Sequence, residues 1–197
     1  MKNQHNHNFV VFTGPMWSSK TSKMLMTLER YKHQGKKIAV FKPLIDDRYS
    51  TNNVVSHMGW EYPANSISVG NDIIDFLVKT TDEPSVIAVD EAFMIPGIAD
   101  VLIWLYRNGV NIVVSTLDLS ATGKSFSEVE KILIWATHVE KCSAVCTVCG
   151  RDAFYTHKKM LNDDALVEIG GSELYEPRCA RCHPSILNHE VVMNNPG

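Results

Sequence analysis

The chain has 197 residues, 45% of them hydrophobic, with a net charge of −3 and a pI near 6.2. That allows one core with a small appendage. It argues against a nucleic-acid surface, because the basic residues come singly or in twos and threes, as on a solvated face. No apolar run reaches the ~18 residues of a membrane helix, and the opening MKNQHNHN has no apolar signal core. The expectation is a soluble cytoplasmic protein with neither membrane nor nucleic acid as partner.

In chain order, FVVFT (9–13) reads as a short buried strand running into GPMWSSKT (14–21). Met24, Leu25, Leu28 and Tyr31 then recur at near-helical spacing, and Gly35 fits a helix stop. KIAVFKP predicts a second strand ending at Pro43, and the polar stretch 44–59 predicts a loop with little regular structure. NDIIDFLVKTTDEP predicts a helix, SVIAVDEA (85–92) a buried strand, IADVLIWLYRNG a helix stopped by Gly109, and VNIVVSTLD a strand. SFSEVEKILIWATHV (125–139) predicts one more helix. Strands alternating with helices predict an α/β fold, a parallel sheet with helices on both faces. From Cys142 the alternation gives way to short β-like runs, turns and C-x-x-C pairs, so the chain divides into 1–141 and a small unit 142–197.

GPMWSSKT nearly matches the phosphate-binding pattern G-x-x-x-x-G-K-[ST] and stands between a strand and a helix, as such a loop must. Its backbone N–H groups would converge on phosphate, Lys20 would reach the terminal phosphates and Thr21 would offer its hydroxyl to Mg²⁺. Ser19 replaces the second glycine. A serine there clashes, weakens binding, or is tolerated if its φ is ordinary. The plainer reading is a lysine in the first turn of a helix.

Asp90 and Glu91 end an apolar strand, where ligands of open α/β sheets bind. Asp90 suits a metal-holding acid. Glu91, pointing the other way if still in the strand, suits a base taking a hydroxyl proton. An ordinary polar strand end is the alternative. Cys146, Cys149, Cys179 and Cys182 form C-x₂-C…C-x₂-C with 29 residues between the pairs. Four thiolates so paired match a closed, structural Zn²⁺ site, against free thiols or a redox pair. The long connection, roughly Thr156 to Glu176, would be a cover over a substrate, or a plain zinc-ribbon hairpin with an insertion.

These segments, with VFKPLIDDRYS, VVSHMG, VIAVDEAF, STLDLSATGKSF, AVCTVCGRDAFYT and VEIGGSELYEPRCARCH in that order, resemble the type II thymidine kinases over nearly the whole chain. The resemblance implies a P-loop α/β domain, a zinc-bound lasso domain and a homotetramer. It implies ATP- and Mg²⁺-dependent phosphorylation of thymidine or a related deoxynucleoside at the 5′-hydroxyl. By position, Gly14, Pro15, Met16, Trp17, Ser18, Ser19, Lys20 and Thr21 would cradle ATP, with Asp90, Glu91, Ala92 and Phe93 beside it. Thr21 and Asp90 would hold Mg²⁺, Glu91 would be the base, and Arg48 would stabilise developing charge. Leu166, Val167, Glu168, Ile169, Gly170 and Tyr175 would close over the base, which Ala121 would face. The four paired cysteines would hold Zn²⁺.

The chain departs from the family pattern at Ser19 for glycine, Phe93 for the glutamine of D-E-x-Q, Thr116 for the glycine of GLDxxF, and Ala121 for its base-packing phenylalanine. All fall on the nucleotide or nucleoside side. They leave a second reading open: a nucleotide-binding homologue with altered specificity or no catalysis, acting as a sensor.

Overall fold

The computed structural model describes residues 7–46, 53–56, 59–159, 170–184 and 186. Arg48 and the segment Leu166, Val167, Glu168 and Ile169 lie outside them. The elements run β1 (Phe9–Thr13), α1 (Lys20–His33), β2 (Ile38–Pro43), β3 (Asn53–Val55), β4 (Glu61–Pro63), β5 (Asn65–Ile67), α2 (Asn71–Lys79) and β6 (Val86–Val89). They continue with α3 (Ile98–Arg107), β7 (Asn111–Thr116), α4 (Ser127–Trp135), β8 (His138–Lys141), β9 (Ala144–Val145), β10 (Asp152–Ala153), β11 (Tyr155–Lys158) and β12 (Tyr175–Arg178).

Six strands form one sheet in the order β5-β2-β6-β7-β1-β8, every pair parallel. The period of two explains why these strands read as unbroken apolar runs. Phe9, Val11, Phe41, Ile87, Val89, Ile112 and Val114 face one side, where Ile73, Ile98, Leu102, Leu105 and Ile132 from α2, α3 and α4 cover them. Phe12, Val40, Val86, Ala88 and Val113 face the other side, under Met24, Leu25, Leu28 and Tyr31 of α1. Each Val, Leu, Ile, Phe or Met among them, taken fully from water, contributes about 1.5–3 kcal/mol. The helix that follows loop 14–19 is thus clamped to its own sheet face.

Two sequence expectations are corrected. The helix expected over 125–139 stops at Trp135, and His138–Lys141 is instead a strand beside β1. The cause is tertiary. Ala136 is already extended, with ψ 134. The Phe9 N–H donates to Thr137 Oγ1 at 2.9 Å, and the Thr137 N–H donates to Phe9 O at 2.8 Å. The edge of β1 claims this segment against its helical pattern. The stretch 44–59 is also not all loop: β3 pairs with β4 as an antiparallel hairpin. Val54, 2% exposed, enters the α1-side core with Tyr62 packed against it.

Beyond β8 the chain returns to the first strand. The Cys142 N–H donates to Thr13 O at 2.7 Å. Cys142 O lies where a Cβ on Gly14 would meet it at 2.3 Å, and Gly14 has φ +139, so only glycine fits here. Two antiparallel pairs follow, β9 with β10 and β11 with β12.

Candidate active site

The phosphate-loop candidate leaves the carboxyl end of β1 and closes on itself before α1. Pro15 O accepts from Ser18 Oγ at 2.8 Å and from Lys20 Nζ at 2.7 Å. Lys20 is 6% exposed. Burial pulls its ammonium below the ordinary lysine range, and the charges of Glu91 and Asp90 oppose that pull. Thr21 Oγ1 donates to Asp90 at 3.2 Å from Oδ1 and 3.3 Å from Oδ2. The hydroxyl and carboxylate expected to share a cation therefore already meet. Two hard oxygen donors of this kind fit Mg²⁺.

Asp90 follows the last residue of β6, and its N–H donates to Phe41 O of β2 at 3.0 Å. Burial first, then the neighbouring charge of Glu91, pushes its carboxyl up to about 7. Glu91 does not point away from it, as continued strand geometry would require. Its backbone is left-handed, with φ 49 and ψ 43. Both acids line one cleft with Met16, Trp17, Ser19, Lys20, Thr21, Ser22, Asp46 and Val55.

Backbone strain collects at this cleft. Trp17 (φ 60), Ser19 (φ 61) and Glu91 (φ 49) are the non-glycine residues with positive φ among those described, and all three line it. A left-handed conformation costs an L-residue roughly 1–2 kcal/mol. Ser19 is therefore not the tolerated case of ordinary φ; it holds the conformation that glycine takes without cost. Such strain gathers where function over-determines geometry.

Asp46 was not singled out from the sequence. It is 8% exposed in the cleft, just beyond β2. The rule that flagged Asp90, an acid past the carboxyl end of an apolar strand, points equally to Asp46. Thr156 was missed too: the Met16 N–H donates to its Oγ1 at 3.2 Å, tying the loop to β11. No local signal reveals a contact across 140 residues.

The remaining expected residues fall as follows. Ala92 is fully buried and begins a 3₁₀ turn, Ala92–Met94. Phe93 stacks tilted on Phe126, ring centroids 4.9 Å apart. Ala121 is half-buried in the turn after β7. Gly170 and Tyr175 are half-buried, and Tyr175 stands opposite Lys158 in the β11–β12 pair. Both ends of the long connection are thus hydrogen-bonded strand.

Cys146, Cys149, Cys179 and Cys182 place their sulfurs within 4.8 Å of one another, with Cys149 Sγ and Cys179 Sγ 3.6 Å apart. Tetrahedral Zn²⁺ with Zn–S near 2.3 Å needs sulfurs about 3.8 Å apart. The four therefore fit that ion, whose charge would let all of them ionise together. Cys142 is buried and outside the cluster. His183, beside Cys182, turns its Nε2 to Thr156 O at 3.1 Å.

A parallel sheet flanked by helices, whose first strand feeds a Gly-Pro…Lys-Thr loop and a helix, with acids at a nearby strand end, defines an α/β protein of the class in which ligands bind at the carboxyl end of the strands. The family model for thymidine kinase matches residues 7–183, and the chain belongs to the thymidine kinase family. Membership supports nucleoside kinase function in general. No helix among the described residues is long and apolar enough to cross a membrane.

Ser19→Gly should raise stability by about 1 kcal/mol, read as a higher urea midpoint, with nucleotide affinity equal or better; lower stability would mean the hydroxyl itself holds the loop. Asp90 gives a pH test. Its folded pKa lies above the unfolded value, so its favourable contribution is complete below about pH 4 and is lost as pH rises through about 7. Without added Mg²⁺, Asp90→Asn should be more stable than wild type at pH 8, the gap closing as pH falls from 7 to 4. A gap constant with pH would contradict the raised carboxyl.

Proposed function

We propose that the chain transfers the γ-phosphate of ATP to the 5′-hydroxyl of thymidine or a related deoxynucleoside. The observation that carries this reading is the meeting of Lys20, Thr21, Asp90 and Glu91 in one cleft at the carboxyl end of the parallel sheet. Residues Gly14 to Thr21 cradle the phosphates, with Lys20 turning from Pro15 O to the triphosphate. Thr21 and Asp90 hold Mg²⁺, which when bound neutralises phosphate charge. Glu91 takes the proton of the 5′-hydroxyl. That oxygen bonds to the γ-phosphorus as the bond to the β–γ bridging oxygen breaks, and ADP leaves. Arg48 stabilises the transferring group. Leu166, Val167, Glu168, Ile169, Gly170 and Tyr175 cover the base, and Ala121 faces it. We divide the chain into a nucleotide-binding domain, 1–141, and a zinc-held domain, 142–197, whose cysteine quartet anchors the cover.

The apolar side chains left at the surface, among them Trp104, Trp135, Val78 and Ile134, accord with assembly into a homotetramer. The second reading, an altered-specificity or non-catalytic sensor, is favoured by the strained Ser19 and by Phe93 stacked on Phe126 where the family pattern has glutamine.

Turnover of Mg-ATP with each nucleoside in turn decides between them. Wild type should phosphorylate at least one deoxynucleoside. Glu91→Gln should lower kcat by roughly 10²–10⁴-fold with ATP binding retained. Nucleotide binding without turnover of any nucleoside would favour the sensor.

A further inference from the structure

The last two residues of β8 are tied in opposite directions. Glu140 pairs with Lys23 of α1, the helix that opens at the phosphate loop. Lys141 Nζ lies 2.9 Å from Asp118 Oδ2, in the loop after β7, and 6.0 Å from the Tyr155 ring centroid on β11. Neighbouring strand residues face opposite sides, so one edge strand grips α1 with one side chain and the β7 loop with the next. In register, Thr13, Thr116 and Lys141 stand level at the end of the sheet. The pair therefore sits beside the start of the phosphate loop, and the Asp118 charge is felt by buried Lys20.

The loop that Asp118 opens is stiff. Leu119 and Ser125 form an isolated antiparallel bridge, and the Ser120 N–H donates to Lys124 O at 2.8 Å. It carries Ala121 and ends at Phe126, which stacks on Phe93, two residues past Glu91. A stiff loop moves as a unit, so holding it at Asp118 places its whole length. The Lys141 side chain is 47% exposed and that of Asp118 only 12%, so the lysine reaches in from solvent to a carboxylate that is largely shielded from water.

We propose that Lys141 is a positioning residue: its bond to Asp118 and its contact with Tyr155 set loop 117–126 against the phosphate loop and the cysteine-held unit, and so set where a nucleoside base rests. This deepens the kinase reading and rests on it for the substrate, though not for the loop.

Two measurements on the full-length, zinc-loaded protein test it. Lys141→Met and Asp118→Asn should each raise nucleoside KM by roughly tenfold or more, the scale of a displaced positioning group. ATP affinity should stay near wild type. Lys141→Arg should restore KM, and the double variant should be no worse than either single one. Additive losses, or equal losses for both substrates, would overturn the proposal. Amide exchange over 117–126 without nucleoside should quicken in Lys141→Met and return to the wild-type rate in Lys141→Arg. Unchanged exchange in Lys141→Met would refute the positioning role whatever the substrate. Absence of nucleoside turnover by wild type would refute the kinase reading instead, and exchange would still decide this one.

Discussion

Three charges confined in one poorly solvated cleft govern this molecule. Lys20 and Asp90 are each under a tenth exposed, and Glu91 follows Asp90 into the same space. A buried charge is costly unless matched. The burden shows in opposite directions: burial draws the Lys20 ammonium down and drives the Asp90 carboxyl up to about 7. A cation beside the two acids and a polyanion over the lysine relieve both at once. A metal-bound polyphosphate supplies that combination, and the adjacent hydroxyl of Thr21 completes a set of hard oxygen donors.

The backbone is bent to bring these groups together. Left-handed geometry at Glu91 turns its carboxylate into the cleft that Asp90 already faces, and the same geometry at Trp17 and Ser19 shapes the loop opposite. The surrounding fold supplies the force. The α1 helix is fixed by buried apolar side chains, Gly14 is pressed against Cys142 O, and the Met16 N–H is caught by Thr156. The zinc-type cysteine cluster thus reaches loop 14–19 through ordinary contacts: His183 Nε2 beside Thr156 O, and the Met16 N–H donating to Thr156 Oγ1.

Much of this was legible in the sequence where the physics is local. The four central strands of apolar residues, the loop between the first strand and helix, the acid pair and the two C-x-x-C pairs each carry their own signal. What was illegible depends on distant partners. The helical pattern reads through residue 139, yet the free edge of β1 makes His138–Lys141 strand. The β3–β4 hairpin hides in a polar stretch because only Val54, with Tyr62 packed against the same core, anchors its two strands. The direction of Glu91 was misjudged because strand alternation was extended two residues past the strand. The φ of Ser19 has no sequence signal beyond the missing glycine itself.

Calorimetric titration of ATP into the zinc-loaded protein, with and without Mg²⁺, tests the central claim most directly. The account predicts saturable binding that requires Mg²⁺ and weakens at least about tenfold in Lys20→Met, the loss of a charge-assisted contact. Binding of equal strength without Mg²⁺, or indifferent to Lys20→Met, would contradict it.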